Sequence, residues 1–216
     1  MDYDNLVQRL MDSEVEVIAK ELAMAEIMLG RMVPRFAKNC IPRFQTLAWQ
    51  YSQKLVDIDS MDDFDTFHKG FVTKFREQIE SVDGGSSSYG EAQKPINLFF
   101  KSYVDRFAIP GEVTATKLRP FLHVPLDKVI IGYFKSNFKE DYDRFIAPVH
   151  QQINQLIKAE HPELSVKMPD SLLSQLKYLQ EDEYFAWQNW FREIYPDRPV
   201  LLDNVWFFER PKAKGL

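Results

Sequence analysis

An all-α fold is the expectation for this chain, and three observations carry it. Helix-capping signals recur along the sequence, apolar residues return every three or four positions, and the segments between read as breakers and connectors. At 216 residues, with 45% apolar and 27% charged content, the chain has the composition and length of a soluble globular protein with one good core. The expected architecture is a compact helical fold containing a helix-hairpin-helix element and ending in a short irregular tail. Residues 1–216 are read as one globular domain, with two lobes and a cleft as a variant: 1–60 with 140–216, and 61–139 carrying the hairpin.

The elements follow in order. Ser13 and Glu16 form a capping box before Ile18, Leu22, Ala25, Leu29 and Met32, until Pro34 ends the helix. A second helix is expected over Arg43 to Val56. Ser60 and Asp63 cap a third, on which Phe64, Phe67, Phe71, Phe75 and Ile79 make one apolar stripe for the core. The run VDGGSSSYG breaks the pattern, and Gly84 and Gly85 in it suit positive φ. The next helix has two possible starts. Ser88 and Glu91 offer a capping box that places Pro95 inside the helix, whereas Pro95 itself suits the first helical position. Either start leaves backbone N–H groups and a positive dipole end near Ser86 to Lys94, a setting that suits a phosphate. IPGEVTATKLRP reads as a connector, and Asp127 as the N-cap of a helix through KVIIGYF. Helices over 141–159, 171–178 and 181–194 precede a tail with a short strand in PVLLDNVWFFERPKAKGL.

Composition excludes several classes of function. The single Cys40 rules out an intrachain disulfide framework, suits a reducing cytoplasm, and reads as a small buried apolar residue. No apolar run is long enough to span a membrane, and the acidic start MDYDNLVQRLMDSEVE is unlike a targeting segment. The four histidines have no ligand spacing with one another, so no metal and no cofactor are expected. The net charge of -5 is a poor guide to partners because charge is unevenly placed. Residues 94–144 hold nine bases against six acids, so the middle of the chain suits an anion.

Two features point to chemistry. A glycine-containing hairpin leads into Gln93-Lys94, and the run VPLDKVI places a proline two residues before a helix-capping aspartate. Over residues 70–138 this resembles the helix-hairpin-helix DNA glycosylase superfamily, nearest the archaeal 8-oxoguanine DNA glycosylase branch by the long interval between the two features. The hairpin departs from that family's Leu-Pro-Gly-Val-Gly-like turn, reading DGGSSSYGEAQK. The resemblance implies Lys94 as the catalytic amine and Asp127 as the catalytic aspartate. It implies DNA contact at the hairpin, through Gly84, Gly85, Ser86, Ser87, Ser88 and Gly90. A base pocket would draw stacking from Tyr89, Trp187 and Trp190, with Trp206 and Phe207 nearby in sequence, and base-edge contacts from Gln93, Asn97 and His123. The implied partner is double-stranded DNA bearing an oxidised purine or a bulky modified base of the kind found in phage genomes, and the implied state is a cytoplasmic monomer. Housekeeping repair and antiviral defence both remain open. Each residue also has a plainer reading: Lys94 as a solvated charge, Asp127 as a simple cap, His123 as a satisfied histidine, and the Trp pair as core.

Two other classes stay beside it. Arg144 and His150 in RFIAPVH have the Arg-x5-His spacing of an all-helical nuclease family that cuts RNA without metal, although Pro148 interrupts the helix. A non-enzymatic helical interaction protein would use none of these side chains chemically.

Overall fold

The computed structural model describes residue 19, residues 36–37, 39–82, 84–160 and 176–205. Apart from Ala19, the expected helix over 18–32 and its cap lie outside the described residues, as do most of 171–178 and the tail beyond Val205. The described part is helical; its β-type pairing is confined to two isolated bridges, Phe36 with Ser81 and Glu80 with Ser86. Helix α1 spans Cys40–Ser52, α2 Met61–Gln78, α3 Tyr89–Phe100, α4 Glu112–Leu118, α5 Lys128–Asn137, α6 Lys139–Phe145, α7 Ala147–Glu160 and α8 Glu181–Ile194. Among the described residues no helix is long and apolar enough to cross a membrane.

The chain forms two compact units, Met1–Ser87 with Pro95–Leu122, and Ser88–Lys94 with His123–Leu216. This division differs from the expected lobes: residues 61–87 group with the N-terminal part of the chain, and 123–139 with the C-terminal part.

In the first unit the phenylalanine stripe of α2 forms the core, as its spacing predicts. Phe64, Phe71, Phe75 and Ile79 are buried, while Phe67 is half-buried at the edge. Phe44 of α1 meets Phe71 and Phe75 at ring-centroid distances of 6.2 and 5.7 Å, and Phe99 of α3 at 6.3 Å. Ser60 caps α2 by accepting from the Asp63 N–H at 3.1 Å. Cys40 is buried, and burial pushes its thiol above the ordinary range.

Helix α3 runs on into a π-helical turn over Lys101–Arg106, closed by the Phe107 N–H on the Ser102 carbonyl at 3.1 Å. The expected connector after it contains α4. Glycine at positive φ (Gly111, φ 100) starts that helix, and burial of Ala115 and Leu118 holds it despite the β-branched residues Val113, Thr114 and Thr116.

In the second unit α8 supplies the centre. Tyr184, Trp187, Trp190 and Phe191 are buried. Trp187 meets Trp190 at 5.4 Å and Tyr142 of α6 at 5.8 Å, while Phe191 meets Phe134 of α5 at 4.8 Å. Interlocked tilted rings fill such a core densely. The described part of the expected tail strand is instead a 3-10 helix over Pro199–Asn204, opened by a proline that fits a helical first turn.

Candidate functional site: an amine and a carboxylate at two helix starts

Helix α3 takes the earlier of its two possible starts. The Glu91 N–H donates to Ser88 Oγ at 3.2 Å, and the Ser88 N–H donates to the Glu91 carboxylate at 3.0 Å, a reciprocal capping box. Pro95 therefore lies inside the helix, and Lys94 immediately precedes it. The proline lacks the N–H that would bond the Glu91 carbonyl, so the ladder is broken one residue after the lysine.

Asp127 caps α5, and its two oxygens do different work. Oδ1 accepts from the Val129 and Ile130 N–H groups at 2.8 and 3.0 Å. Oδ2 accepts from Lys94 Nζ at 2.5 Å. The two side chains are 33 positions apart in sequence. Their side chains keep 13% and 24% of their surface exposed, so the pair is largely covered yet reachable. A cap-held carboxylate cannot swing away from the amine without releasing two helix N–H groups.

The segment that delivers Asp127 is held by side-chain amides. Leu122 to Leu126 are buried and belong to no helix. Gln93 takes the Leu126 N–H on Oε1 at 3.2 Å and donates Nε2 to the Leu126 carbonyl at 2.9 Å and to the Gly90 carbonyl at 3.0 Å. Gln188 of α8 accepts from the Val124 N–H at 2.8 Å and donates to the Val124 carbonyl at 3.1 Å. Just before them, His123 Nδ1 lies 2.7 Å from Tyr184 Oη and Nε2 lies 2.8 Å from Arg192 Nη2. Because a guanidinium only donates, Nε2 must be the acceptor; the neutral ring then carries its proton on Nδ1 and donates it to the tyrosine.

The other expected site residues fall differently. Gly84 (φ 78) and Gly85 (φ 119) take the positive φ that their sequence predicts, and with Ser86 they are exposed in the turn between α2 and α3. Ser87 is buried, its carbonyl accepting from Arg76 Nε at 2.8 Å. Of the N–H groups near the start of α3 expected to suit a phosphate, four already have protein partners. The Ser88 N–H is taken by Glu91, the Gly90 N–H by the Leu179 carbonyl at 3.2 Å, the Glu91 N–H by Ser88 Oγ, and the Ala92 N–H by the Ser88 carbonyl at 3.1 Å. The Glu91 carboxylate already sits where an anion would bind. Gly90 is a packing glycine: an added Cβ would lie 2.1 Å from the Leu176 carbonyl oxygen.

All six expected pocket residues are buried. Tyr89 packs on Tyr184 at 5.2 Å, and Asn97 bonds His68 Nε2 through Oδ1 at 2.8 Å. Trp187 and Trp190 are enclosed in the α8 core and present no face for stacking a base. Gln93 and His123 are engaged as described. These six side chains are framework, because each already holds close aromatic or hydrogen-bonding partners in the interior.

Arg144 and His150 do not share a helix: α6 ends at Phe145 and α7 begins at Ala147, with Pro148 in its first turn. Arg144 lies against the Phe145 ring, and His150 Nδ1 lies 3.0 Å from the Glu183 carboxylate.

Sequence reasoning missed Gln188. A signal for it exists, since it sits on the buried stripe Tyr184, Trp187, Gln188, Phe191, where an amide needs a partner. Gln93 stands in the same way on Tyr89, Ala92, Gln93, Ile96. No protein-family model, no curated protein and no solved structure matches the chain.

Proposed function

We propose that the chain is a DNA N-glycosylase that removes a modified base, with Asp127 and Lys94 as its working pair. One observation carries the reading: the Lys94 amine meets Asp127 Oδ2 at 2.5 Å, from positions 33 residues apart, in a pair that remains partly exposed. The resemblance in the hairpin and in VPLDKVI supports it.

The chemistry follows from the charges. As the glycosidic bond breaks, its electron pair leaves with the base and positive charge builds on the sugar; a fixed carboxylate stabilises that charge. Lys94, once its proton passes to Asp127, offers a lone pair to the sugar C1′. Ring opening, with the proton delivered to the ring oxygen, then gives a Schiff base that permits strand cleavage. The target base is an oxidised purine or a bulky modified base turned out of the duplex. The buried framework residues are left out of base contact.

The test is borohydride trapping on three duplexes, carrying 8-oxoguanine, a bulky phage-type base and an abasic site. A covalent adduct that disappears in Lys94→Ala is the expected result. Base release without an adduct, lost in Asp127→Asn, reduces the lysine to an electrostatic aid. No release from any modified base and no adduct with any duplex overturns the reading.

A further inference from the structure

We propose that Gln93 and Gln188 are positioning residues: two buried amides, on α3 and α8, hold the backbone on either side of Pro125 and thereby fix where the Asp127 carboxylate meets Lys94. The inference rests on Lys94 and Asp127 being a working pair, and is independent of which base they release.

Buried backbone N–H and C=O groups must be paired. The segment Leu122–Leu126 is buried outside any helix, and Pro125 has no N–H to offer. On one side of the proline Gln188 engages both the N–H and the carbonyl of Val124. On the other side Gln93 engages both the N–H and the carbonyl of Leu126. Each amide supplies one acceptor and one donor to a single residue, as a neighbouring β-strand does. Such two-point contacts fix both the position and the rotation of the segment.

The register adds to this. Gln93 and Lys94 are consecutive on α3, and they bind Leu126 and Asp127, which are also consecutive. Upstream, His123 and Val124 are both tied to α8, through Tyr184, Arg192 and Gln188. The aspartate is thus set by α3 on its own side and by α8 three residues earlier. Loosening either amide lets the carboxylate drift from the amine without removing either group.

The test uses the full chain and a readout that needs no DNA. Lys94 is reductively methylated with formaldehyde and cyanoborohydride, and its rate is followed by peptide mass spectrometry, with the exposed Lys128 as internal control. Asp127→Asn sets the scale; loss of the partner charge is expected to speed Lys94 labelling about fivefold. Gln188→Met and Gln93→Met keep the side-chain volume and remove the clamp. Each is expected to speed Lys94 labelling about threefold, with Lys128 unchanged. In single-turnover assays on the preferred duplex, the same variants should lose about tenfold in rate while the Kd stays within about twofold. If either methionine variant fails to fold by circular dichroism, the glutamate variant at that position decides, since it retains the acceptor for the backbone N–H; its labelling rate should fall between wild type and Asp127→Asn. Wild-type labelling in the folded variants at both positions overturns the proposal. Faster labelling in the methionine variants, when the wild-type protein neither releases a base nor forms an adduct with any duplex, upholds the clamp and overturns the glycosylase reading alone.

Discussion

Helices α3 and α5 both begin with a side-chain cap in the second unit, and they use it differently. At α3, Ser88 and Glu91 satisfy each other's backbone N–H groups, and Ser88 Oγ also donates to the Leu176 carbonyl at 3.1 Å. The Ser88 and Glu91 N–H groups and Ser88 Oγ of that cap all have protein partners, and the glutamate sets its own negative charge at the helix start. At α5, Asp127 holds two N–H groups with one oxygen and turns the other to Lys94. A cap with a second oxygen on a partly exposed amine has chemistry available; a reciprocal box has stability alone. The local signals are equally good at both, and the difference lies in what the rest of the fold brings beside them.

The sharpest way to break this comparison is to neutralise each carboxylate in turn. Asp127→Asn should lower base release by about two to three orders of magnitude, whereas Glu91→Gln should leave it within about twofold. Single-turnover assays on the preferred duplex measure both; equal losses would end the distinction. A smaller effect separates the glycines around α3. Gly90→Ala forces a Cβ against the Leu176 carbonyl and Leu179, and should cost about 1–3 kcal/mol in urea unfolding. Gly84→Ala, which meets nothing within 4 Å but must hold positive φ, should cost about 1 kcal/mol. Ser88→Ala removes the acceptor for the Glu91 N–H and should cost about 1 kcal/mol by the same measurement. The smallest change is the stability of Asp127→Asn. Asparagine caps as well as aspartate, so unfolding should move by only about 0.5 kcal/mol, while Asp127→Ala loses the cap and about 1 kcal/mol.

Much of the helical order is legible along the chain. The phenylalanines of α2, the Ser60 cap, the Asp127 cap and the Ser88–Glu91 box each depend on residues within one or two turns of one another. Elements held by distant burial are harder to read. Helix α4 looks like a connector because it is short and three of its seven residues are β-branched, and it is held by burial of Ala115 and Leu118. The Trp187–Trp190 pair carries no local mark that distinguishes a core from a stacking surface. Gln93 and Gln188 each break an apolar helical stripe, which signals a buried partner without naming it.

By itself the sequence determined which helix faces are apolar, that Ser60 and Asp127 cap their helices, and that Lys94 and Asp127 stand at two helix starts, because capping and periodicity act over a few residues. Only the tertiary structure decided that the amine reaches the carboxylate and that the aromatics at 187 and 190 are core. Those outcomes depend on hydrogen bonds and ring contacts between helices, and on partners as far as 33 and 64 positions apart that come together only when the core packs.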